Sequence, residues 1–427
     1  MHIHHLRVYC YYFTSFLGKI LLKCFKKEME GYCMYQILTL GELSDRLQRR
    51  LNRVERFEFS SEFTHPAAIF VRSAQVADQF ITEDLLVVGR AGSGVNNINV
   101  KACTKNGTMV FNTPGVNANA VKEVVLTSLL NSVRPIEKAA DAVQTLTGEN
   151  ILEQAEQIRN NYIGSELVGK TIGILGLGAI GEQVARACFN LGMDVIGYAR
   201  QPRNQNYFEQ VYDLKDLLPR PDFVVILLPL TDETRGIFNS EAFSSMRKEA
   251  ILFNFGRGEI VNNAALLSAL ANEQIKGYVS DFPSAELLQN PKIKLLPHMG
   301  GTTGKALQDG AMAAMHNMRD FLIYGTVRQS VNFPDIFLPF TAPTRLTIFY
   351  MDEPKIFSKI SHKISAHNIE IDILASERYE GYVYTLIDLD EADLPKVREV
   401  TNELNQIPAI IRLRLLKNPN WAPTIYL

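Results

Sequence analysis

Short apolar runs alternate with amphipathic segments along most of the chain. "MYQILTL", which begins at Met34, and "PAAIFVRS" predict buried strands, and "GELSDRLQRRL" between them has the spacing of an amphipathic helix. "LLVVGRAGSGV" is an apolar strand that runs directly into a glycine-rich turn. Because alternating buried strands and helices are typical of a parallel sheet, this part of the chain predicts an α/β domain.

A second α/β series follows an apolar helix that we predict between Ala118 and Glu137. Its five expected strands lie in "KTIGILGLGAIG", "MDVIGYAR", "DFVVILLPL", "AILFNFGRG" and "KGYVSDF". Strands and helices in this order predict a doubly wound sheet. The helix "GKALQDGAMAAMHNMRDFLIYG" comes next, and the proline-punctuated "SVNFPDIFLPFTAP" predicts a linker.

Residues 341–427 follow a different pattern. In "PKIFSKISHKISAHN" the residues Ile356, Ile360 and Ile364 recur at helical spacing. The predicted order of elements is βαββαβ, the split ferredoxin-like unit, and no catalytic constellation is visible in it. The predicted fold class is therefore α/β, with two Rossmann-like doubly wound parallel-sheet domains and a C-terminal βαββαβ domain that regulates or oligomerises.

Composition narrows the possible partners. The 427 residues are 46% hydrophobic and 21% charged with a formal net charge of -2, so no nucleic acid partner is expected. The five cysteines have no metal-like spacing, and their odd number argues against a disulfide framework. We expect a protein of the reducing cytoplasm without a bound metal.

Residues 1–33 do not share the α/β pattern. The apolar stretch Tyr11–Lys27 is interrupted by Lys19, so its apolar run is far shorter than the roughly 20 residues that cross a bilayer. No small-residue cleavage site follows it. We expect an extension that is disordered or translated from upstream sequence, with the true start at Met29 or Met34, and no membrane association.

A glycine-rich turn carries the main ligand signal. Gly176, Gly178 and Gly181, with Ala179 and Ile180 between them, form a G-x-G-x-x-G sequence between a predicted strand and a predicted helix. Gly176 allows the tight turn, Gly178 lets the backbone approach a pyrophosphate, and Gly181 lets helix and strand pack closely. The amides at the start of the helix favour phosphate groups. We therefore predict a dinucleotide site; a glycine-rich turn without a ligand is the alternative.

The next strand ends without the carboxylate that normally contacts the adenosine ribose. Ala199 stands at this position and Arg200 follows it. A carboxylate accepts hydrogen bonds from the ribose and repels a 2′-phosphate, whereas an arginine can pair with that phosphate. Arg200, helped by Arg203, would favour NADP, and an Arg200 that points to solvent would leave NAD. The sequence keeps both cofactors open.

Three separated segments supply groups suited to hydride transfer on a 2-keto acid. Arg257, Asp281 and His298 each follow a predicted strand end, and Glu286 lies in the loop after Asp281. A guanidinium can grip a carboxylate and polarise a keto oxygen, and a histidine can exchange the hydroxyl proton near neutral pH. A nearby carboxylate would orient the ring and favour the imidazolium. Taken singly, each of these residues could be an ordinary polar surface residue.

Together these segments resemble the D-isomer-specific 2-hydroxyacid dehydrogenase family. The similarity covers Met34 to Pro334 and includes "GRAGSGVNNI", "FNTPGVNANAVKE", "GILGLGAIG", "PLTDETRG", "FNFGRGEIV", "SDFPSAE" and "LPHMGG". The resemblance implies a substrate-binding domain of residues 34–119 and 304–335, and a dinucleotide-binding Rossmann domain of residues 120–303. Residues 341–427 resemble an ACT domain.

The resemblance also implies a role for each candidate residue. Arg257, Glu286 and His298 would be catalytic, and Asp281 would lie on the nicotinamide side of the cofactor. The other cofactor-binding positions, besides the glycine turn, Ala199 and Arg200, would be Pro229, Thr234, Gly256, Gly300 and Gly301.

Within the family, the chain most resembles members that oxidise 3-phosphoglycerate to 3-phosphohydroxypyruvate in L-serine biosynthesis. That resemblance implies Arg72 and Ser73 as ligands of the substrate phosphate, which an arginine fork and a hydroxyl suit. The amides of Ser93 and Gly94 would hold the substrate carboxylate, and Asn117 would shape the same cleft. An ion pair of Arg72 on the domain surface is the alternative.

Two other functions stay open at this point. A glyoxylate or hydroxypyruvate reductase would share every catalytic residue, and a nucleotide-sensing, co-repressor-like binding protein would share the fold. The resemblance implies a homodimer or homotetramer. Serine feedback is expected to be weak or absent, since the helix start in "MDEPKIF" lacks a glycine for close backbone approach.

Overall fold

The computed structural model describes residues 34–41, 43–44, 47–49 and 57–421. The predicted N-terminal extension lies outside the described residues. The chain forms two compact units, Gly115–Leu307 and the described part of Met1–Pro114 together with Gln308–Leu427. None of the described helices is long and apolar enough to cross a membrane.

The first parallel sheet lies in the unit that is built from both ends of the chain. Its strand order is β2-β1-β3-β4-β5, and every neighbouring pair is parallel. The strands are β1 Tyr35–Leu40, β2 Phe57–Ser60, β3 Ala68–Val71, β4 Val87–Arg90 and β5 Met109–Phe111. Helix α1, Val100–Lys105, precedes β5, and the long helix α9, Gly304–Tyr324, returns to this sheet. Met318 and Phe321 of α9 pack in one hydrophobic core with Phe70 of the sheet.

The second unit contains a seven-stranded sheet that is also parallel throughout. Its order is β12-β11-β10-β9-β6-β7-β8, so the order reverses between β6 and β9, the switch point at which such sheets bind ligands. The strands are β6 Thr171–Leu175, β7 Asp194–Tyr198, β8 Glu209–Val211, β9 Phe223–Ile226, β10 Ile251–Asn254, β11 Gly277–Ser280 and β12 Ile293–Leu295. The helices are α2 Ala118–Val133, α3 Ile136–Gln144, α4 Ile151–Ile158, α5 Ala179–Asn190, α6 Leu214–Leu217, α7 Ser240–Ser245 and α8 Asn263–Ala271.

This unit departs from the sequence prediction at two places. The five predicted strands and the short strand before His298 are present, but the edge strand β8 was not predicted, because only one of its three residues, Val211, is apolar. The apolar helix predicted from Ala118 to Glu137 ends at Val133. Arg134 is extended there, since a residue before proline disfavours the helical conformation, and α3 begins separately after Pro135.

The C-terminal part is a four-stranded antiparallel sheet with two helices, in the order β14-β15-β13-β16. Its elements are β13 Thr344–Met351, α10 Ile356–Ala366, β14 Ile371–Tyr379, β15 Tyr382–Leu389, α11 Leu394–Leu404 and β16 Ile410–Lys417. The predicted βαββαβ order is therefore confirmed. Ile356, Ile360 and Ile364 are all buried, as their helical spacing predicts. Glu380 and Gly381, with φ of 48° and 83°, make the tight hairpin turn between β14 and β15.

The arginines of this antiparallel sheet are engaged within the same unit. Arg345, which is fully buried, forms a bidentate ion pair with the equally buried Asp388. Its guanidinium also donates to two main-chain carbonyls outside the sheet, one of them that of Tyr324 at 2.8 Å. Arg412 and Arg414 of β16 donate to four further main-chain carbonyls. The charges of these arginines therefore stabilise the fold.

Candidate active site

The glycine-rich turn lies between β6 and α5, at the switch point of the seven-stranded sheet. Gly176 has φ of 102°, a conformation that side chains other than glycine rarely adopt. A Cβ on Gly181 would collide with the carbonyl oxygen of Gly176, so this glycine is required by the turn itself. A Cβ on Gly178 would meet no atom within 4 Å.

The exposed side of this turn has the form that a pyrophosphate needs. Gly178 and Ala179 are exposed, Ile180 is half-buried, and Gly178 is the N-cap of the twelve-residue helix α5. The first amides of a helix lack partners within the helix and carry its positive dipole end. The backbone there is therefore open, electropositive and unobstructed by side chains, which fits a dinucleotide phosphate.

The loop after β7 is where a cofactor ribose would be read. Ala199 is half-buried at the strand end, and Arg200 is exposed. Arg203 is paired with the carboxylate of Glu182 at 3.5 Å. No carboxylate therefore stands at the position that usually accepts the ribose hydroxyls, and one of the two arginines has a partner in the protein.

The predicted cofactor positions Pro229 and Thr234 bracket a single loop after β9. The hydroxyl of Thr234 donates to the carbonyl of Pro229 at 2.7 Å and accepts from the amide of Thr231 at 2.8 Å. Both residues therefore shape the loop backbone. Gly256 is buried at the end of the neighbouring β10, where a Cβ would lie 2.7 Å from the carbonyl oxygen of Leu228.

Asn254 holds the turn that presents Arg257. Its buried side chain donates to the carbonyl of Arg257 at 2.9 Å and accepts from the amide of Gly256 at 3.1 Å. The Nδ2 atom of Asn254 also lies 3.2 Å from the hydroxyl of Tyr278. The half-buried Arg257 donates to the carbonyl of Gly256 at 2.6 Å. Asn254 was not predicted from the sequence, where its only signal is a polar residue at the end of the apolar run "ILFN".

Asp281 holds the turn that presents His298. The carboxylate is buried, and it accepts hydrogen bonds from the amides of Met299 and Gly300, both at 2.7 Å. His298 itself is exposed with φ of 54°, and its ring centroid lies 5.0 Å from that of Phe282. A left-handed conformation is unfavourable for a histidine, so the two amide bonds to Asp281 stabilise a strained turn.

The side chain of Glu286 is bonded to Asn263 and not to the ring that it was expected to orient. Its exposed carboxylate accepts from the Nδ2 atom of Asn263 at 3.1 Å, and that atom is 3.2 Å from the hydroxyl of Ser284. Within the described ranges, no hydrogen bond or ion pair joins Glu286 to His298. Glu286 also lines an open cavity of about 650 Å³ to which neither Arg257 nor His298 contributes.

The remaining predicted positions of this unit lie beside the His298 turn. Asn117 is the N-cap of α2, and a Cβ on Gly301 would lie 2.6 Å from its Nδ2 atom. The Oδ1 atom of Asn117 is buried without a hydrogen-bond partner among the described residues. Asn117 was assigned to the first domain from the sequence, and it falls in the compact unit Gly115–Leu307.

The predicted substrate residues of the other unit follow β3 and β4. Arg72 is half-buried directly after β3, and Ser73 is exposed. Ser93 and Gly94 lie in a turn whose backbone is bonded to side chains outside the turn. The Gly92 amide donates to the hydroxyl of Thr113 at 2.8 Å, and the Ser93 carbonyl accepts from the Nδ2 atom of Asn112 at 2.5 Å. The Gly92 amide is therefore already used, which leaves Ser93 and Gly94 as the candidate donors of the turn.

The described cysteines take no part in these sites. Burial raises the pKa of the Cys103 and Cys188 thiols to about 12, so both are protonated and unreactive at neutral pH. In the part of the chain that the structure describes, no group of three His, Cys, Asp or Glu side chains could hold a metal ion.

One protein-family model matches most of the second compact unit. Residues 126–300 match the model of the D-isomer specific 2-hydroxyacid dehydrogenase, NAD binding domain. These residues include the glycine turn, Arg257 and His298. Over these residues the chain is similar to the D-isomer-specific 2-hydroxyacid dehydrogenases.

Two relatives are similar to about 60% of this chain. D-3-phosphoglycerate dehydrogenase of Methanocaldococcus jannaschii is 33% identical over 264 residues, which are 60% of this chain and 49% of that protein. The Bacillus subtilis protein of the same name is 32% identical over 283 residues, 62% of this chain and 51% of that protein. The chain thus spans about half the length of these relatives.

A similar solved structure contains a bound cofactor. An NADPH-dependent glyoxylate/hydroxypyruvate reductase from Sinorhizobium meliloti, in complex with NADP and malonate, aligns with a TM-score of 0.59 at 25% identity. The alignment covers 70% of this chain and 96% of that one. The family thus provides for NAD or NADP as the cofactor.

Proposed function

We propose that this protein is a D-3-phosphoglycerate dehydrogenase, which oxidises 3-phosphoglycerate to 3-phosphohydroxypyruvate with NAD or NADP. One observation carries the proposal. Two buried side chains hold the turns that present Arg257 and His298 at the carboxyl edge of the seven-stranded sheet, and an open glycine turn lies at the switch point of that sheet. The relatives at 32–33% identity support the choice of substrate.

Each of the three candidate catalytic residues has a separate task. Arg257 binds the substrate carboxylate and polarises the oxygen on C2, because a guanidinium offers paired donors and a fixed positive charge. His298 accepts the hydroxyl proton in oxidation and returns it in reduction. Glu286 stabilises the protonated ring, which requires the carboxylate to leave Asn263 or to act across a distance.

The cofactor is held by the backbone of the glycine turn and by the residues after β7, β9 and β10. When bound, a nicotinamide dinucleotide supplies the hydride acceptor or donor. Gly178 and Ala179 offer the open backbone for its phosphates, and Ala199 with Arg200 faces its ribose. Asp281 contributes mainly by fixing the His298 turn, since both of its oxygens already accept amide hydrogen bonds.

Arg72 and Ser73 recognise the substrate phosphate. No ion pair or hydrogen bond of the Arg72 side chain occurs among the described residues, so its guanidinium is available to an anion. The Gly92 amide is already bonded to the hydroxyl of Thr113, so the amides of Ser93 and Gly94 would hold the substrate carboxylate.

We further propose a division of labour and an oligomer. Residues 34–119 with 304–335 bind substrate, residues 120–303 bind the dinucleotide, and residues 341–427 form an ACT-like domain. Helices α3 and α4 are amphipathic and contain no buried residue, and they expose Ile136, Ile151 and Leu152 among others. Exposed apolar helix faces of this kind support self-association into a homodimer or homotetramer.

A substrate panel tests the function. The rates of NAD and NADP reduction are measured with 3-phosphoglycerate, D-glycerate and D-lactate, and those of NADH and NADPH oxidation with phosphohydroxypyruvate, hydroxypyruvate, glyoxylate and 2-oxoglutarate. We expect 3-phosphoglycerate to exceed D-glycerate in kcat/KM by about 10²-fold, the worth of two charge-assisted hydrogen bonds. A preference for glyoxylate or hydroxypyruvate would make the protein a reductase of those acids.

Arg72→Ala tests the phosphate contact separately. It should lower kcat/KM for 3-phosphoglycerate by about 10- to 100-fold and leave the value for D-glycerate unchanged. Arg378→Ala, which removes an exposed arginine of the same unit, is the matched control. Equal losses for both substrates in Arg72→Ala would contradict a phosphate-binding role.

A further inference from the structure

The loop between β7 and β8 is held by one side chain, that of Gln210. Its Nε2 atom donates to the carbonyls of Ala199 at 3.1 Å and Gln201 at 2.8 Å, and its Oε1 atom accepts from the amide of Arg203 at 2.7 Å. Gln210 thus bonds the loop backbone through its donor group and its acceptor. The backbone of residues 199–203 is therefore held in place. These residues form a platform, and their side chains would contact a ligand that lies beside β7.

The two arginines on this platform are in different electrostatic situations. Arg203 is paired with Glu182 at 3.5 Å, and the two side chains are 39% and 34% exposed. Glu182 belongs to the first turn of α5, directly after Gly181. The ion pair thus connects the two segments that a dinucleotide would touch, the glycine turn and the loop after β7.

Arg200 lies near a different carboxylate, that of Glu233. The hydroxyl of Thr231 lowers the pKa of this carboxyl most strongly, and the positive charge of Arg200 contributes in the same direction. Arg200 is exposed, and within the described ranges its side chain makes no hydrogen bond or ion pair. It is the arginine that remains free to meet a 2′-phosphate.

We propose that Glu182 is a specificity-determining residue for the cofactor, because it sequesters Arg203 and thereby restrains the use of NADP. A carboxylate that is bonded to a guanidinium neutralises its charge and fixes its direction. Arg203 can contribute to a 2′-phosphate only when this pair opens. Ala199 and Arg200 alone would admit both nicotinamide cofactors, and the Glu182–Arg203 pair shifts the balance towards NAD.

The inference rests on the dinucleotide binding of the proposed function but not on its substrate. The test therefore uses cofactor binding to the full chain, measured by fluorescence titration with NADH and NADPH. Glu182→Gln should lower the Kd of NADPH by about three- to tenfold and leave that of NADH within about twofold. Glu241→Gln, which opens the exposed pair with Lys215 elsewhere in the same unit, removes the same charge and should change neither value.

Arg203→Ala decides whether Glu182 acts through its partner. In the wild-type background it should change NADPH binding by less than about twofold, because the guanidinium is already engaged; in the Glu182→Gln background it should abolish the gain. A gain that survives Arg203→Ala, or an equal change for NADH and NADPH in Glu182→Gln, would overturn the inference alone. A wild-type protein that binds neither nucleotide would overturn the proposed function with it.

Discussion

The C-terminal antiparallel sheet and the carboxyl edge of the seven-stranded sheet differ in how their charged side chains are bonded. Arg345 and Asp388 are fully buried and bonded to one another, and Arg345 also donates to main-chain carbonyls. At the carboxyl edge, Glu286 and His298 are exposed, Arg257 is half-buried, and their few bonds are to neutral groups. Charge that is completely satisfied by the protein supports the fold, and charge that is left unsatisfied at a sheet edge is available to a ligand.

The same contrast applies to the polar groups that are buried in the second unit. Asn254 and Asp281 lie at neighbouring strand ends, and the side chain of each bonds the backbone of a turn. Arg257 follows one turn and His298 begins the other. Buried side chains thus position the exposed ones, because a reacting group must be held within a fraction of an ångström of its productive place.

Breaking the buried ion pair should give the largest loss of stability. Arg345→Met leaves the Asp388 carboxylate buried without its partner, and we expect the free energy of unfolding to fall by about 3–5 kcal/mol. Urea unfolding followed by circular dichroism measures it. Arg378→Met, which removes the exposed partner of Asp352, should cost less than about 1 kcal/mol. Equal losses of stability in the two variants would contradict the distinction between charges that support the fold and charges that are available to a ligand.

Releasing the His298 turn should come next. Asp281→Ala removes the acceptor of two amides, and we expect kcat to fall by about 10- to 100-fold as the ring loses its position. Asp281→Asn keeps one acceptor and should lose less. The Kd of NADH should hardly change in either variant. A Kd that rises in parallel with the loss of kcat would instead assign Asp281 to cofactor binding.

Glu286→Gln should have a smaller effect on turnover, about tenfold or less. A glutamine keeps an oxygen that accepts from Asn263 but removes the negative charge that the proposed mechanism offers to the protonated ring. The values of kcat with 3-phosphoglycerate in the two proteins measure the contribution of that charge. An unchanged kcat would show that Glu286 serves Asn263 and the loop alone.

The smallest effect is expected from serine. The backbone at the start of α10 is left-handed at Lys355, with φ of 67°, where glycine would be favoured if an effector were to approach the main chain. We expect millimolar serine to leave the rate of 3-phosphoglycerate oxidation unchanged. Strong inhibition by micromolar serine would make the C-terminal domain a sensor as well as a structural element.

Local spacing made the glycine turn and the strand-end charges predictable. Gly176 and Gly181 meet the demands of a turn only six residues long, so their purpose is visible in the sequence. Arg257 and His298 were predictable as strand-end residues for a similar reason. The short edge strand β8 was not, because only one of its three residues is apolar.

Partnerships across long stretches of sequence were beyond prediction. Asn254 bonds the hydroxyl of Tyr278, 24 residues away, and Arg345 meets Asp388 across 43 residues. The amide partners of Asp281 also arise only when β12 lies beside β11. The candidate reacting groups were therefore easier to predict from the sequence than the side chains that hold them.

The turnover of His298→Ala tests the central claim most directly. If the exposed ring is the acid/base group, kcat with 3-phosphoglycerate should fall by roughly 10²–10⁴-fold, while the Kd of NADH stays near the wild-type value. His362→Ala, which removes an exposed histidine from α10, is the matched control and should leave both values unchanged. A His298→Ala protein that turns over within about threefold of the wild type would contradict the mechanism.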